Sequence, residues 1–141
     1  MKSVFSVKTN KNWEKLEWGS RAWLTRNDAT RGESLVVVEV DLASGFGHDF
    51  HVHSEQDELI YVLEGKIEQW IETEMRILTV GDSAFIERST VHASFNASDG
   101  PARVLAILAP AIGDNGYEVV EVAHDPPWCN LRQQGIDEDQ H

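Results

Sequence analysis

The chain has 141 residues, 41% of them hydrophobic and 26% charged, with a formal net charge of −12. Those values fit one globular domain able to bury roughly two-thirds of its unfolded surface. The acidic balance and the absence of any Lys/Arg cluster argue against a nucleic-acid partner, because phosphate rewards concentrated positive charge.

At the N-terminus, residues 1–8 lack the apolar core of a signal peptide, and no later run approaches the roughly 18 apolar residues of a membrane span. The single cysteine, Cys129, excludes an internal disulfide. The expected location is therefore the cytoplasm, with no membrane partner, and the Asn96-Ala97-Ser98 sequon reads as chance. Trp13, Trp18 and Trp23 read as strands packing over a core or lining a dimer seam, in preference to an aromatic recognition patch.

The stretch 33–42 alternates, placing Val36, Val38, Val40 and Leu42 on one face of a strand. Ser44-Gly45-Phe46-Gly47 breaks it. Further strands are predicted at 49–53, 58–63, 66–72, 76–80, 83–86, 92–96, 102–108 and 118–122. Turn clusters recur every 8–12 residues or so, no long 3.6-residue apolar stripe occurs, and no internal repeat is present. The pattern predicts an all-β sandwich or barrel over residues 1–124, followed by a polar, Pro-punctuated peripheral arm at 125–141.

His51 and His53 stand two apart on a predicted strand, so both imidazoles leave one face about 7 Å apart along the backbone. Glu58 opens the next strand and His92 opens another, each after a turn. Three imidazoles and one carboxylate suit a divalent Fe, Ni, Mn, Zn, Co or Cu ion and leave coordination positions open. A His-x-His pair alone is more often a surface or hydrogen-bonded pair. The longer pattern changes that weighting.

Gly45, His51, His53, Glu58 and Gly65 fall on the spacing Gly-x5-His-x-His-x4-Glu-x6-Gly, and Gly81, His92 and Asn96 fall on Gly-x5-Pro-x-Gly-x2-His-x3-Asn. These residues resemble the two motifs of the cupin superfamily. Two positions depart from it: Glu87 stands where the second motif has proline and Ser89 where it has glycine. Both lie in the turn that aims His92, so the departures bear on local turn geometry and remove no ligand. The resemblance implies a double-stranded β-helix, or jelly-roll barrel, with His51, His53, Glu58 and His92 around one metal ion near its mouth. It also implies a homodimer and a small-molecule substrate.

Other polar residues carry two readings each. His48 has the opposite strand parity to His51, so only an irregular backbone would bring it to the metal side; otherwise it is a surface or rim histidine. Gln69 and Ser94 fall on inward-facing positions, where they either contact substrate or satisfy neighbouring polar groups. The same parity turns Trp70 outward, to be covered by the N-terminal segment or a dimer partner. His124 and His141 read as solvent-exposed, and Cys129 has no base within sequence reach.

Three functions fit. The first is a metal-dependent dioxygenase of an enol, phenol or thiol substrate. The second is a non-redox Lewis-acid isomerase, cyclase or lyase; in either, Glu58 can serve as general base. The third is a non-catalytic cupin that binds or senses a small molecule. The enzyme readings lead, and dioxygenase leads narrowly among them, because a buried carboxylate costs several kcal/mol unless it is paired or ligated.

Overall fold

A computed structural model of the chain describes residues 5–25, 34–111 and 119–132. Glu33, Glu118, His141 and the arm beyond residue 132 lie outside them. After a 3₁₀ turn at Lys8–Asn10, eleven strands follow: β1 (Trp13–Leu16), β2 (Gly19–Trp23), β3 (Val36–Leu42), β4 (Gly47–Val52), β5 (Asp57–Glu64), β6 (Lys66–Ile71), β7 (Glu74–Thr79), β8 (Ser83–Ile86), β9 (His92–Phe95), β10 (Ala102–Ala109) and β11 (Val120–Glu121). They form two antiparallel sheets, ordered β1-β2-β3-β10-β5-β8 and β11-β4-β9-β6-β7. This is the all-β jelly-roll architecture, with the two sheets facing one another.

The alternation of β3 decides which side is core. Val36, Val38, Val40 and Leu42 are buried and pack with Ile60, Val62, Ile67, Ile86, Val104 and Leu108 between the sheets. β10 pairs with β3 on one side and β5 on the other, so the six-stranded sheet presents a continuous apolar inner face.

A second apolar cluster lies on the outer face of the five-stranded sheet, around Phe50, Val91, Ala93 and Phe95. Val122, Ala123, Trp128 and Leu131, from the segment after β11, pack on it together with Trp70. Trp70 thus faces away from the barrel interior. The C-terminal segment, and not the N-terminal one, packs against it, through a helical turn over 128–132. Arg132 closes the contact: it pairs with Glu68 at 2.6 Å and lies 3.7 Å over the Phe95 ring, while Trp70 Nε1 donates to the same carboxylate.

The N-terminal hairpin β1–β2 extends the six-stranded sheet. Trp18 and Trp23 pack against the main core, and Trp13 lies under the Arg103 guanidinium at 4.9 Å.

Candidate metal centre

The first motif works through close backbone approach. Gly45 has φ +83° and its amide donates to the Asn96 carbonyl, while the Asn96 amide donates to the Phe46 carbonyl. A side chain at Gly47 would stand 2.1 Å from the Ser94 carbonyl oxygen, so only glycine lets β4 lie against β9 there. Asn96 is fully buried and saturated: its Nδ2 donates to the Leu42 and Gly100 carbonyls, and its Oδ1 accepts from Ser98. It staples the two motifs together, away from the ligand cluster.

The turn before His92 has the shape that the motif glycine would supply. Ser89 takes φ +67°, a left-handed conformation. Its amide donates to the His53 carbonyl at 2.8 Å and its hydroxyl to the Ser54 carbonyl at 3.2 Å. Arg88 grips Asp57 through both its backbone amide and its guanidinium. Hydrogen bonds to the β4–β5 connection therefore replace the pre-organisation that proline and glycine would provide.

β4, β5 and β9, with the short link after β4, deliver His51, His53, Glu58 and His92 to one point in the barrel interior. All four are buried, and one ligand atom from each lies within 4.8 Å of the others. Glu58 Oε1 is 2.9 Å from His92 Nε2 and 3.4 Å from His53 Nε2. The His51 and His92 Nδ1 atoms lie 2.7 and 2.9 Å from the carbonyls of Asp49 and Thr90. A carbonyl accepts only, so Nδ1 carries a proton, and in the neutral imidazole each Nε2 has its lone pair towards the centre. Donors about 2.1 Å from a shared ion stand at most about 4.2 Å apart, so the set is within a small contraction of coordinating one. Soft-to-borderline nitrogen donors with one carboxylate suit a transition metal rather than calcium or magnesium.

The electrostatics describe a site in need of a cation. Burial pushes the Glu58 carboxyl up, but the His92 hydrogen bond and charge, then His53 and His48, outweigh it and bring the carboxyl below its ordinary value. Burial lowers His92, yet its bond to Glu58 raises it overall. His51 is held well below the ordinary imidazole value by burial first, then by His48 and His92. The Glu58–His92 hydrogen bond thus favours the charged form of each partner, and burial favours the neutral form of His51.

His48 joins this group against strand parity. The register of β4 on β9 shifts between His48↔Ser94 and His51↔His92, a bulge that inserts one residue. Both imidazoles thereby face inward, stacked with centroids 3.6 Å apart and planes 7° apart, and Trp18 stacks on the far side of His48. Glu121 Oε2 holds His48 Nε2 at 3.1 Å. Alternation alone could not reveal this residue; only the bulge does. With Trp18, Ser94 and Ala106, His48 lines a cavity of about 50 Å³ beside the cluster.

Ser94 faces that cavity, and Gln69 is buried one strand further on. Each partly satisfies the other: Ser94 Oγ donates to Gln69 Oε1 at 2.6 Å, and Gln69 Nε2 donates to the Trp70 carbonyl. His124 is exposed, and Cys129 is half-buried in the C-terminal segment, away from the cluster.

A double-sheet β-barrel with an inward-facing cluster of three histidines and a carboxylate defines a class of small barrel suited to one metal ion. The chain belongs to the cupin family: the cupin domain model matches residues 38–108. It is 32% identical, over 88 residues, to the pectin degradation protein KdgF of Dickeya dadantii, an alignment covering 62% of this chain and 76% of that one. The structure of KdgF from a Halomonas species superposes with a TM-score of 0.69 at 23% identity, covering 77% of this chain and 94% of that one. The polyketide cyclase RemF of Streptomyces resistomycificus superposes at 0.70 with 19% identity, covering 93% and 98%. At those identities the two structures speak to the fold. Among the described residues no helix is long and apolar enough to cross a membrane.

Proposed function

We propose that His51, His53, Glu58 and His92 hold one divalent transition-metal ion, and that the protein is a metal-dependent enzyme for a small organic substrate. The observation that carries this reading is the convergence of four buried donor atoms, from separate segments, within 4.8 Å. Such a group is expensive to bury unless a cation uses it. A bound ion supplies Lewis acidity, polarising a substrate carbonyl or hydroxyl.

The protein's own groups then have definite tasks. The Asp49 and Thr90 carbonyls fix the tautomers of His51 and His92, so that both Nε2 atoms are ready to coordinate. Glu58, the sole carboxylate of the cluster, is the group placed to accept a proton at Oε1 as general base. The apolar wall of Val40, Leu42, Ile60, Val104 and Ala106 limits water in the adjoining cavity.

Non-redox chemistry, of the isomerase, cyclase or lyase kind, is the preferred reaction class. The fold accommodates such chemistry, since a polyketide cyclase shares it. The second reading is a dioxygenase of an enol, phenol or thiol, favoured by a four-donor set that leaves positions for both substrate and O2. Metal analysis of the purified protein, followed by turnover assays with and without oxygen, separates them. Turnover that persists in strict anaerobiosis supports the Lewis-acid reading, and turnover coupled to oxygen uptake supports the dioxygenase. Tight ligand binding without turnover would leave a sensing cupin, and a protein that takes up no stoichiometric metal would defeat both enzyme readings.

A homodimer is proposed on separate grounds. Val37, Ile107, Leu59 and Phe85 are cross-strand neighbours on the outer face of the six-stranded sheet, and Phe85 is 58% exposed. An apolar row across four strands is a surface that a second copy would cover.

A further inference from the structure

The inner face of the five-stranded sheet carries two cross-strand rows. One runs His51–His92–Ile71–Glu74 and contains two of the metal-cluster imidazoles. The adjacent row runs His48–Ser94–Gln69–Arg76 and is polar from end to end. Ser94 and Gln69 are buried in this row, His48 is half-buried and Arg76 is exposed, so the row leads from the barrel interior to the surface.

The polar row lines two separate cavities, with His48 and Ser94 at one and Gln69 and Arg76 at the other. Ser94 lines the 50 Å³ space beside the metal cluster, and Gln69 lines a larger one of about 260 Å³. The 2.6 Å Ser94–Gln69 hydrogen bond is the boundary between them. The larger cavity opens where β7 and β8, the end strands of the two sheets, face each other; Ile71, Arg76, Leu78 and Ala84 line it with Gln69.

Among the described residues, Arg76 is the one Lys or Arg side chain lining either cavity. Its Nε meets Glu74 at 3.5 Å, a long single contact between two highly exposed side chains. Such a contact holds the guanidinium weakly, and although Glu74 lines the same cavity, among the described residues the terminal N–H donors have no other partner, so a planar anion can take a two-point grip in place of that contact. In a chain with net charge −12, an anionic ligand needs a local cation of this kind.

We infer that Arg76 is a specificity-determining residue that binds a distal carboxylate of the substrate, whose other end reaches the metal cluster along the Ser94–Gln69 row. The inference rests on the metal reading above and narrows the substrate to an organic acid of some length. Ser94 and Arg76 are two strand spacings apart, about 9–10 Å between backbones. Side chains at both ends shorten that gap to the span of an acid of about six carbons, whereas a two-carbon diacid occupies the metal end alone.

The test uses the full-length protein loaded with Co(II), whose visible bands report ligand binding, and calorimetry for affinity. 2-Oxoadipate and 2-oxohexanoate share a metal-chelating 2-oxo acid head and differ in the distal carboxylate; oxalate is the short control. Wild-type protein is expected to prefer 2-oxoadipate over 2-oxohexanoate by roughly tenfold. Arg76→Gln should remove that preference, Arg76→Lys should keep part of it, and oxalate affinity should not change in either variant. Equal affinity for the two six-carbon acids in the wild type, a preference that survives Arg76→Gln, or an equal loss for oxalate would each overturn the inference. Cobalt stoichiometry separates the two levels: a protein that binds no cobalt defeats the metal reading, and one that binds cobalt without the preference defeats the assignment of Arg76 alone.

Discussion

The Ser89 amide donates to the carbonyl of His53 at 2.8 Å, so the turn that aims one imidazole of the cluster is fastened to the residue bearing another. Ser89 holds φ +67° to make that bond, a conformation that disfavours a side chain by roughly 1–2 kcal/mol. Replacing Ser89 with glycine relieves the strain while losing an exposed hydroxyl contact to Ser54. The expected gain is about 0.5–1 kcal/mol, seen as a rise of a few degrees in Tm with metal content unchanged. Ser89→Val should shift Tm the other way; a Tm that falls in Ser89→Gly would show that the turn is not strained.

Removing a member of the cluster should act on metal and stability together. His92→Ala deletes one donor and leaves Glu58 buried without its closest partner, 2.9 Å away. Metal content should drop well below one equivalent, and the metal-free protein should lose about 3 kcal/mol in chemical denaturation. Unchanged metal content in His92→Ala would remove the basis for the metal centre.

The pH dependence has a definite sign. His51 and His48 are lowered, chiefly by burial, so their contribution to stability is present above the ordinary value of 6.5 and is lost as pH falls below it. Glu58 is also lowered, so its contribution is present above 4.5 and is lost as pH falls through its native value. His92 is raised: its contribution is present below 6.5 and is lost as pH rises through its native value. Coordination needs neutral imidazoles, so metal uptake near pH 6.5 must expel the His92 proton, and affinity should weaken as pH drops through the raised His92 value. Calorimetry in buffers of different ionisation enthalpy counts that proton. An affinity that stays flat from about pH 5 to 8 would contradict imidazole coordination.

Arg132 ties the C-terminal segment to the barrel through Glu68 and the Phe95 ring. Arg132→Ala should cost about 1–2 kcal/mol and speed proteolytic cutting after β11, because Trp70 and Phe50 lose part of their cover. Metal content should stay the same, since this contact lies on the outer face of the sheet.

Phe85→Asp places a charge in the apolar row on the outer face of the six-stranded sheet. If a second copy covers that row, light scattering should report a dimer for the wild type and a monomer for the variant. A wild-type monomer would dispose of the dimer.

Much of this molecule was legible in the residue order because β-strands alternate strictly. The 36/38/40/42 set named the core face of β3, while the resemblance to the two cupin motifs, and not alternation, implied that His51, His53, Glu58 and His92 would be gathered at one place. Features that depend on a break in alternation, or on contacts between distant segments, were not legible. His48 turns inward because of a bulge, and no residue type signals it. Trp70 was legible as outward-facing, but its cover comes from residues some 60 positions away, in a segment whose polar, Pro-punctuated composition hides one apolar side made of Trp128 and Leu131. The proline and glycine missing from the second motif marked the turn before His92 as altered, but did not reveal that hydrogen bonds from Arg88 and Ser89 would hold it.

The extra residue in β4 lets His48 and His51, three positions apart, both reach the inner face in neighbouring rows. The segment upstream of the bulge supplies the polar row and the segment downstream supplies the metal row. Closing the bulge without shortening the strand would put the two imidazoles on opposite faces, whereas deleting one residue at 49 or 50 would restore plain alternation with both still inward. The inward place of His48 therefore depends on strand length and pairing together, and not on the ligands themselves.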